Sequence, residues 1–109
     1  KSKKSKIESK KYREQIENAN EMISLSIIQA ELAYESSLEN TKIVKKEIEL
    51  TKDTYDMVNK QYKNNLASIN DVLDSLNDLE KANFKLQKSF YSERRAFTSL
   101  LYAKGILKY

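Results

Sequence analysis

Proline is absent from all 109 residues, and glycine occurs once, at Gly105. Strands joined by hairpins need turn residues, and this chain does not have them. A compact bundle of short helices needs several loops, each with its own breaker. One third of the residues are charged and 39% are hydrophobic, the composition of long helices or a coiled coil. The predicted class is therefore all-α: an elongated, antiparallel two-helix coiled-coil hairpin with little central core.

The apolar spacing supports this class. A first helix is predicted over about 7–63. Its seam is Ile16, Ala19, Ile23, Ile27, Ala30, Tyr34, Leu38, Thr41, Val44, Ile48, Thr51, Tyr55, Val58 and Tyr62. The steps are threes and fours, strictly alternating from Thr41 onward, which is the 3.5-residue period of a left-handed supercoil. A second row (Ile43, Leu50, Met57) runs beside it at intervals of seven. A second helix is predicted over about 69–107. Its large residues (Ile69, Val72, Leu76, Leu79, Leu86, Phe90, Phe97, Leu100 and Leu107) are read as the seam, interrupted at Asn83, Glu93 and Lys104. A separate row of small residues (Ser75, Ala82, Ser89, Ala96 and Ala103) recurs every seven. A large-residue seam and a small-residue strip imply two packing neighbours. A lone hairpin offers one, so the hairpin reads as one stave of a larger wall.

The turn is predicted at about 64–68. Asn64-Asn65 interrupts the pattern, and Asn tolerates the left-handed conformation required just past a helix end. Ser68 comes next, with Asp71 three residues later, before an apolar run. That is the signature of a capping box. A stop signal and a start signal in direct succession mark a tight antiparallel turn.

Composition excludes much chemistry. Without His or Cys there is no imidazole, thiolate or disulfide chemistry. The carboxylates sit among lysines on helical faces, with no glycine-rich loop or nucleophile–base pair. The expectation is no enzyme activity, no catalytic residues, no cofactor and no metal site. No apolar run reaches the 18 residues of a membrane-spanning helix. The chain begins at Lys1 and reads as a segment of a larger protein.

Net charge is +4, but residues 1–13 alone carry +6 and the rest −2. That block reads either as a solvated helix end or as a contact for an anionic surface. It lacks the interleaved aromatics of a nucleic-acid site, and no nucleic-acid partner is expected. Asp71, Asp74 and Asp78 share one face of the second helix by their three- and four-residue spacing, at positions c and f of the large-residue register. A helix N-terminus favours acids, which accounts well for Asp71. In a symmetric oligomer the same residues would form stacked acidic rings at a pore.

The run Tyr62-x-x-Asn65-Leu66-Ala67-Ser68-x-x-Asp71-Val72-Leu73-Asp74 resembles the Y-x-x-G-x-x-[ST]-x-x-D-[VL]-L-[DE] signature of TolC-like outer-membrane efflux proteins. Ile27, Ala30 and Tyr34 upstream are similar to that family's descending helix. Ala82, Phe90-Tyr91, Leu100 and Ala103-Lys104-Gly105-Ile106-Leu107 are similar to its returning helix, so the likeness covers nearly the whole chain. The resemblance implies a homotrimeric channel with an outer-membrane β-barrel and a periplasmic α-helical tunnel, in which this segment is the second, C-terminal hairpin. It implies a passive conduit for efflux or type I secretion. The tip, Asn64, Asn65, Leu66, Ala67 and Ser68, would dock with a periplasmic adaptor that links to an inner-membrane transporter. Asp71, Asp74 and Tyr62 would sit at the entrance constriction. Asn65 replaces the family's usual Gly, and Ala67 offers no basic or hydroxyl group for a salt-bridged latch.

Two other readings stand beside this one. A free-standing coiled-coil scaffold or tether needs only the heptads. The hairpin of the adaptor itself would be expected to carry an Arg-Leu-Ser tip, and this turn has no Arg.

Overall fold

The computed structural model describes residues 2–106. It contains two helices and no strand among those residues: α1, Ser2–Lys63, and α2, Ile69–Ala103. They form a long antiparallel coiled-coil hairpin measuring 95 × 22 × 17 Å. At 1.5 Å per residue the 62 residues of α1 come to about 93 Å, so α1 alone sets the length. α2 has 35 residues and covers only the tip-proximal part of α1. Lys104 Nζ lies 3.7 Å from Glu31 Oε1 and marks the far end of the pairing. Residues 3–26 of α1 run on beyond it, exposed throughout. No helix among the described residues is long and apolar enough to cross a membrane.

The spacing predicts α2 as far as about residue 107, but the helix stops at Ala103. Lys104 caps it, Gly105 takes φ +75°, and two reversed hydrogen bonds close the end: Gly105 N donates to Tyr102 O (3.0 Å) and Ile106 N to Leu101 O (2.9 Å). This is a Schellman motif, and the positive φ is what calls for glycine. A Cβ there would meet nothing within 4 Å, so conformation rather than space selects the residue. Leu107, assigned to the seam from spacing, lies outside the described residues.

The seam itself differs from the spacing-based assignment. The residues of α2 that face α1 are Val72, Leu79, Leu86, Glu93 and Leu100, alternating with the small row Ser75, Ala82, Ser89, Ala96 and Ala103. Ser89 is 3% exposed and Ser75 is 6% exposed, whereas Phe90 and Phe97 are each 45% exposed. The small strip is thus half of the hairpin's own interface and does not face a second neighbour. Asn83, read from spacing as an interruption, is exposed and leaves the seam unbroken there.

The reason is geometric. Two helices share a seam one or two side chains wide, and small residues in it let the axes come close. Large aromatics then reach around the side. The Phe97 ring lies 5.5 Å from the Tyr34 ring, and Lys45 Nζ sits 5.5 Å from the Phe90 centroid.

A matching shift occurs on α1. Ser37, not Leu38, occupies the seam, and Leu38 is exposed. The alternation of threes and fours then runs unbroken from Ile27 through Val58. At its centre are Val44, 2% exposed, and Thr41.

Hydroxyls in a seam carry a desolvation cost unless paired. Each buried one here pairs with its own helix: Thr41 Oγ1 donates to Ser37 O (3.1 Å), Ser75 Oγ to Val72 O (2.8 Å) and Ser89 Oγ to Leu86 O (2.7 Å). No buried side-chain N or O lacks a partner among the described residues. Across the seam, Lys85 Nζ meets Glu47 Oε2 at 3.1 Å. Both are solvent-exposed, and such pairs contribute at most about 1 kcal/mol.

Candidate docking tip

The tip is built by two caps back to back. At the end of α1, Asn65 N donates to Tyr62 O (3.1 Å) and Leu66 N to Gln61 O (2.7 Å), with Asn65 at φ +61°. This is a second Schellman motif, with Asn in the position glycine usually fills. Three residues on, Ser68 is the N-cap of α2 in an extended conformation (φ −83°, ψ 164°). Asp71 N donates to Ser68 Oγ at 3.1 Å, and Ser68 N donates to Asp71 Oδ2 at 2.9 Å. Both arms of the capping box are made. Ser68→Ala removes one arm and is expected to cost about 1 kcal/mol, read as a lower urea midpoint with an unchanged slope.

The caps leave only Asn64 to Ser68 between the helices, and they expose Leu66. At 78% exposure Leu66 stands at the apex with its side chain in solvent. Ala67 is half-buried beneath it, and Asn64 and Asn65 are exposed beside it. The structure thus brings Asn64, Asn65, Leu66, Ala67 and Ser68 together at one end of the elongated hairpin.

The three residues assigned to a constriction are divided. Asp71 is held in the capping box, so its carboxylate has a local structural task. Asp74 is exposed and makes no hydrogen bond or ion pair among the described residues. Tyr62 sits in the last turn of α1, 43% exposed. Because the seam runs through Val72 and Ser75, Asp71 and Asp78 flank it and only Asp74 points farther out, not the c and f placement read from the large-residue register. Asp78 lines a shallow groove with Leu50, Thr51, Thr54 and Ser75. Among the described residues no three acidic side chains are placed to hold a metal ion.

One feature escapes the reading by spacing. On the outer side of α2, Phe84 and Tyr91 stand seven apart, both exposed, with cations laid on their rings. Lys88 Nζ is 5.1 Å from the Phe84 centroid and Arg95 Cζ is 6.0 Å from that of Tyr91. The sequence does carry its signal, a third period of seven on α2 beside the large and small rows. No family model, curated protein or solved structure matches this chain.

Proposed function

We propose that this hairpin is a periplasmic tunnel element of a TolC-like outer-membrane efflux or type I secretion channel. It is a passive conduit, and its tip docks with a periplasmic adaptor. The observation that carries this reading is the tip: an apolar side chain, Leu66, 78% exposed at the apex on a turn pinned from both sides. An exposed leucine on a preorganised backbone suits burial in a partner, because little ordering entropy is lost when it docks. The exposed row Ile43, Leu50 and Met57 supports a place in a wall, that of a homotrimer in the full-length protein.

In this reading the hairpin performs no chemistry. It transmits the position of the adaptor, and with it the inner-membrane transporter, to the tunnel mouth. Asp74 is the better candidate for a charged ring there, since Asp71 is already engaged by Ser68.

Leu66→Asp in the full-length protein is the test. The side chain touches little within the hairpin, so the helices are expected to keep their content by circular dichroism. Adaptor pull-down and transport are expected to fall to background. Normal transport with Leu66→Asp would remove the docking claim.

A further inference from the structure

The charge along α1 reverses sharply near its start. Residues 3–13 carry six cations, Lys3, Lys4, Lys6, Lys10, Lys11 and Arg13, and one acid, Glu8. Residues 14–40 carry six acids and no Lys or Arg. The basic block lies on the part of α1 that α2 does not reach, and all of its cations are exposed. Like charges three and four residues apart on a helix repel. The block sets Lys3 beside Lys6, Lys6 beside Lys10, and Lys10 beside Arg13 in this way. None of the six cations makes an ion pair among the described residues, and Glu8, within reach of Lys4 and Lys11, pairs with neither. Ile7 stands in the middle, 57% exposed. Its neighbours on the helix surface, three and four residues to either side, are Lys3, Lys4, Lys10 and Lys11.

We infer that this block is a docking face for an anionic membrane surface, with its cations on lipid phosphates and Ile7 among the headgroups. At 3.6 residues per turn the six cations cover about half the helix circumference. That breadth suits a continuous sheet of negative charge, which also relieves the repulsion among them. A polyanion is held through charge alone, whereas an apolar side chain ringed by lysines is the pattern of an interfacial helix. The acids of a second copy are too sparse to serve. Lys3 to Arg13 spans about 15 Å, and no window of 11 residues within 14–40 holds more than three acids, so half of the cations would stay unmatched.

The charge reversal limits the contact to one end. Glu14, Glu17 and Glu21 follow Lys10 on the same face, at steps of four, three and four. An anionic surface repels them, so the contact stops at Arg13 and the rest of the hairpin leans away. Lys63, at the tip end of α1, is 56 residues and about 84 Å from Ile7. The inference goes beyond the channel reading and does not rest on it, since it uses only the first turns of α1 and no transport readout.

Vesicles supply the test. The chain is floated through a density gradient with vesicles of phosphatidylcholine alone, or of phosphatidylcholine and phosphatidylglycerol in equal parts. It is expected to float with the anionic vesicles and not with the neutral ones, and rising salt is expected to release it. Each lysine close to such a surface contributes about a fivefold factor in binding. Lys3→Gln, Lys4→Gln, Lys10→Gln and Lys11→Gln together are therefore expected to weaken binding by more than about a hundredfold. Arg at the same four positions is expected to preserve it. All four side chains are exposed, and Gln and Arg are helix formers close to Lys, so helix content should hold in both variants. Ile7→Ser, which leaves the charge unchanged, is expected to weaken binding at least about threefold. Failure to bind the anionic vesicles, equal binding to the neutral ones, or full affinity in the fourfold Gln variant would each overturn the inference. So would tighter binding to a duplex DNA oligonucleotide with Ile7→Ser inert toward both partners, which would make the block a polyanion site. Self-association without vesicles that the Gln variant abolishes would assign the block to a second copy and overturn the inference as well.

Discussion

Ser89→Phe is expected to cripple the hairpin at its middle, although it adds apolar surface to a chain that exposes much of it. Ser89 is 3% exposed and its hydroxyl is already bonded to Leu86 O. The seam there has room for a hydroxymethyl group and no more. A ring in that place must push the axes apart or leave its rotamer, at a cost of about 1–3 kcal/mol. In a small helical unit that is a large share of the total, and it corresponds to a fall in Tm of about 5–20 °C. The companion substitution, Phe90→Ala, is expected to cost only about 1 kcal/mol, mostly the lost contact with Lys45. If Phe90 were the core residue its spacing suggests, the order would reverse. Phe90→Ala would then cost about 3–5 kcal/mol, and Ser89→Phe would be close to neutral. Thermal unfolding of the two variants decides between them.

The second large effect is expected at the turn. Asn65 holds φ at +61°, where a side chain branched at Cβ clashes with its own backbone. Asn65→Val is expected to lose about 1–2 kcal/mol in urea unfolding. Asn65→Gly is expected to be neutral or to gain a few tenths of a kcal/mol, since glycine enters this conformation without strain. The pair separates backbone from side chain, because both substitutions remove the amide and only valine opposes the backbone. Equal stability of the two variants would mean that residue 65 is not held left-handed.

Legibility in the sequence depends on which physical rule governs each element. The helices and their junction are readable because local rules set them. No breaker interrupts 2–63, Asn65 can take the left-handed turn, and Ser68 with Asp71 caps the start of α2. The partner face of α2 is not readable in this way. Its large and small rows have the same seven-residue period, and periodicity alone does not say which row turns inward. Burial energy per residue favours the larger residues as the seam, but the hairpin instead brings two backbones close through Ser75, Ala82, Ser89 and Ala96. Once the small row is placed inside, Ser37 replaces Leu38 on α1 for the same reason, and the phase irregularity near Leu38 disappears. For the tip, the residues are identifiable from caps, while the solvent position of Leu66 depends on the path of the turn. That Asp71 is engaged and Asp74 is not comes from the reciprocal capping geometry, which a motif suggests and only coordinates display.

The placement of the small-residue row is the central claim, because it decides which residues are left to face other chains. Thiol reactivity measures it directly in a chain without cysteine of its own. Ser89→Cys and Phe90→Cys are labelled side by side under native conditions. A buried thiol reacts only when the helices open, whereas an exposed one reacts at once. Labelling of the Ser89→Cys variant is expected to be at least about tenfold slower than that of Phe90→Cys. Equal rates, or faster labelling of Ser89→Cys, would contradict an inward-facing small row.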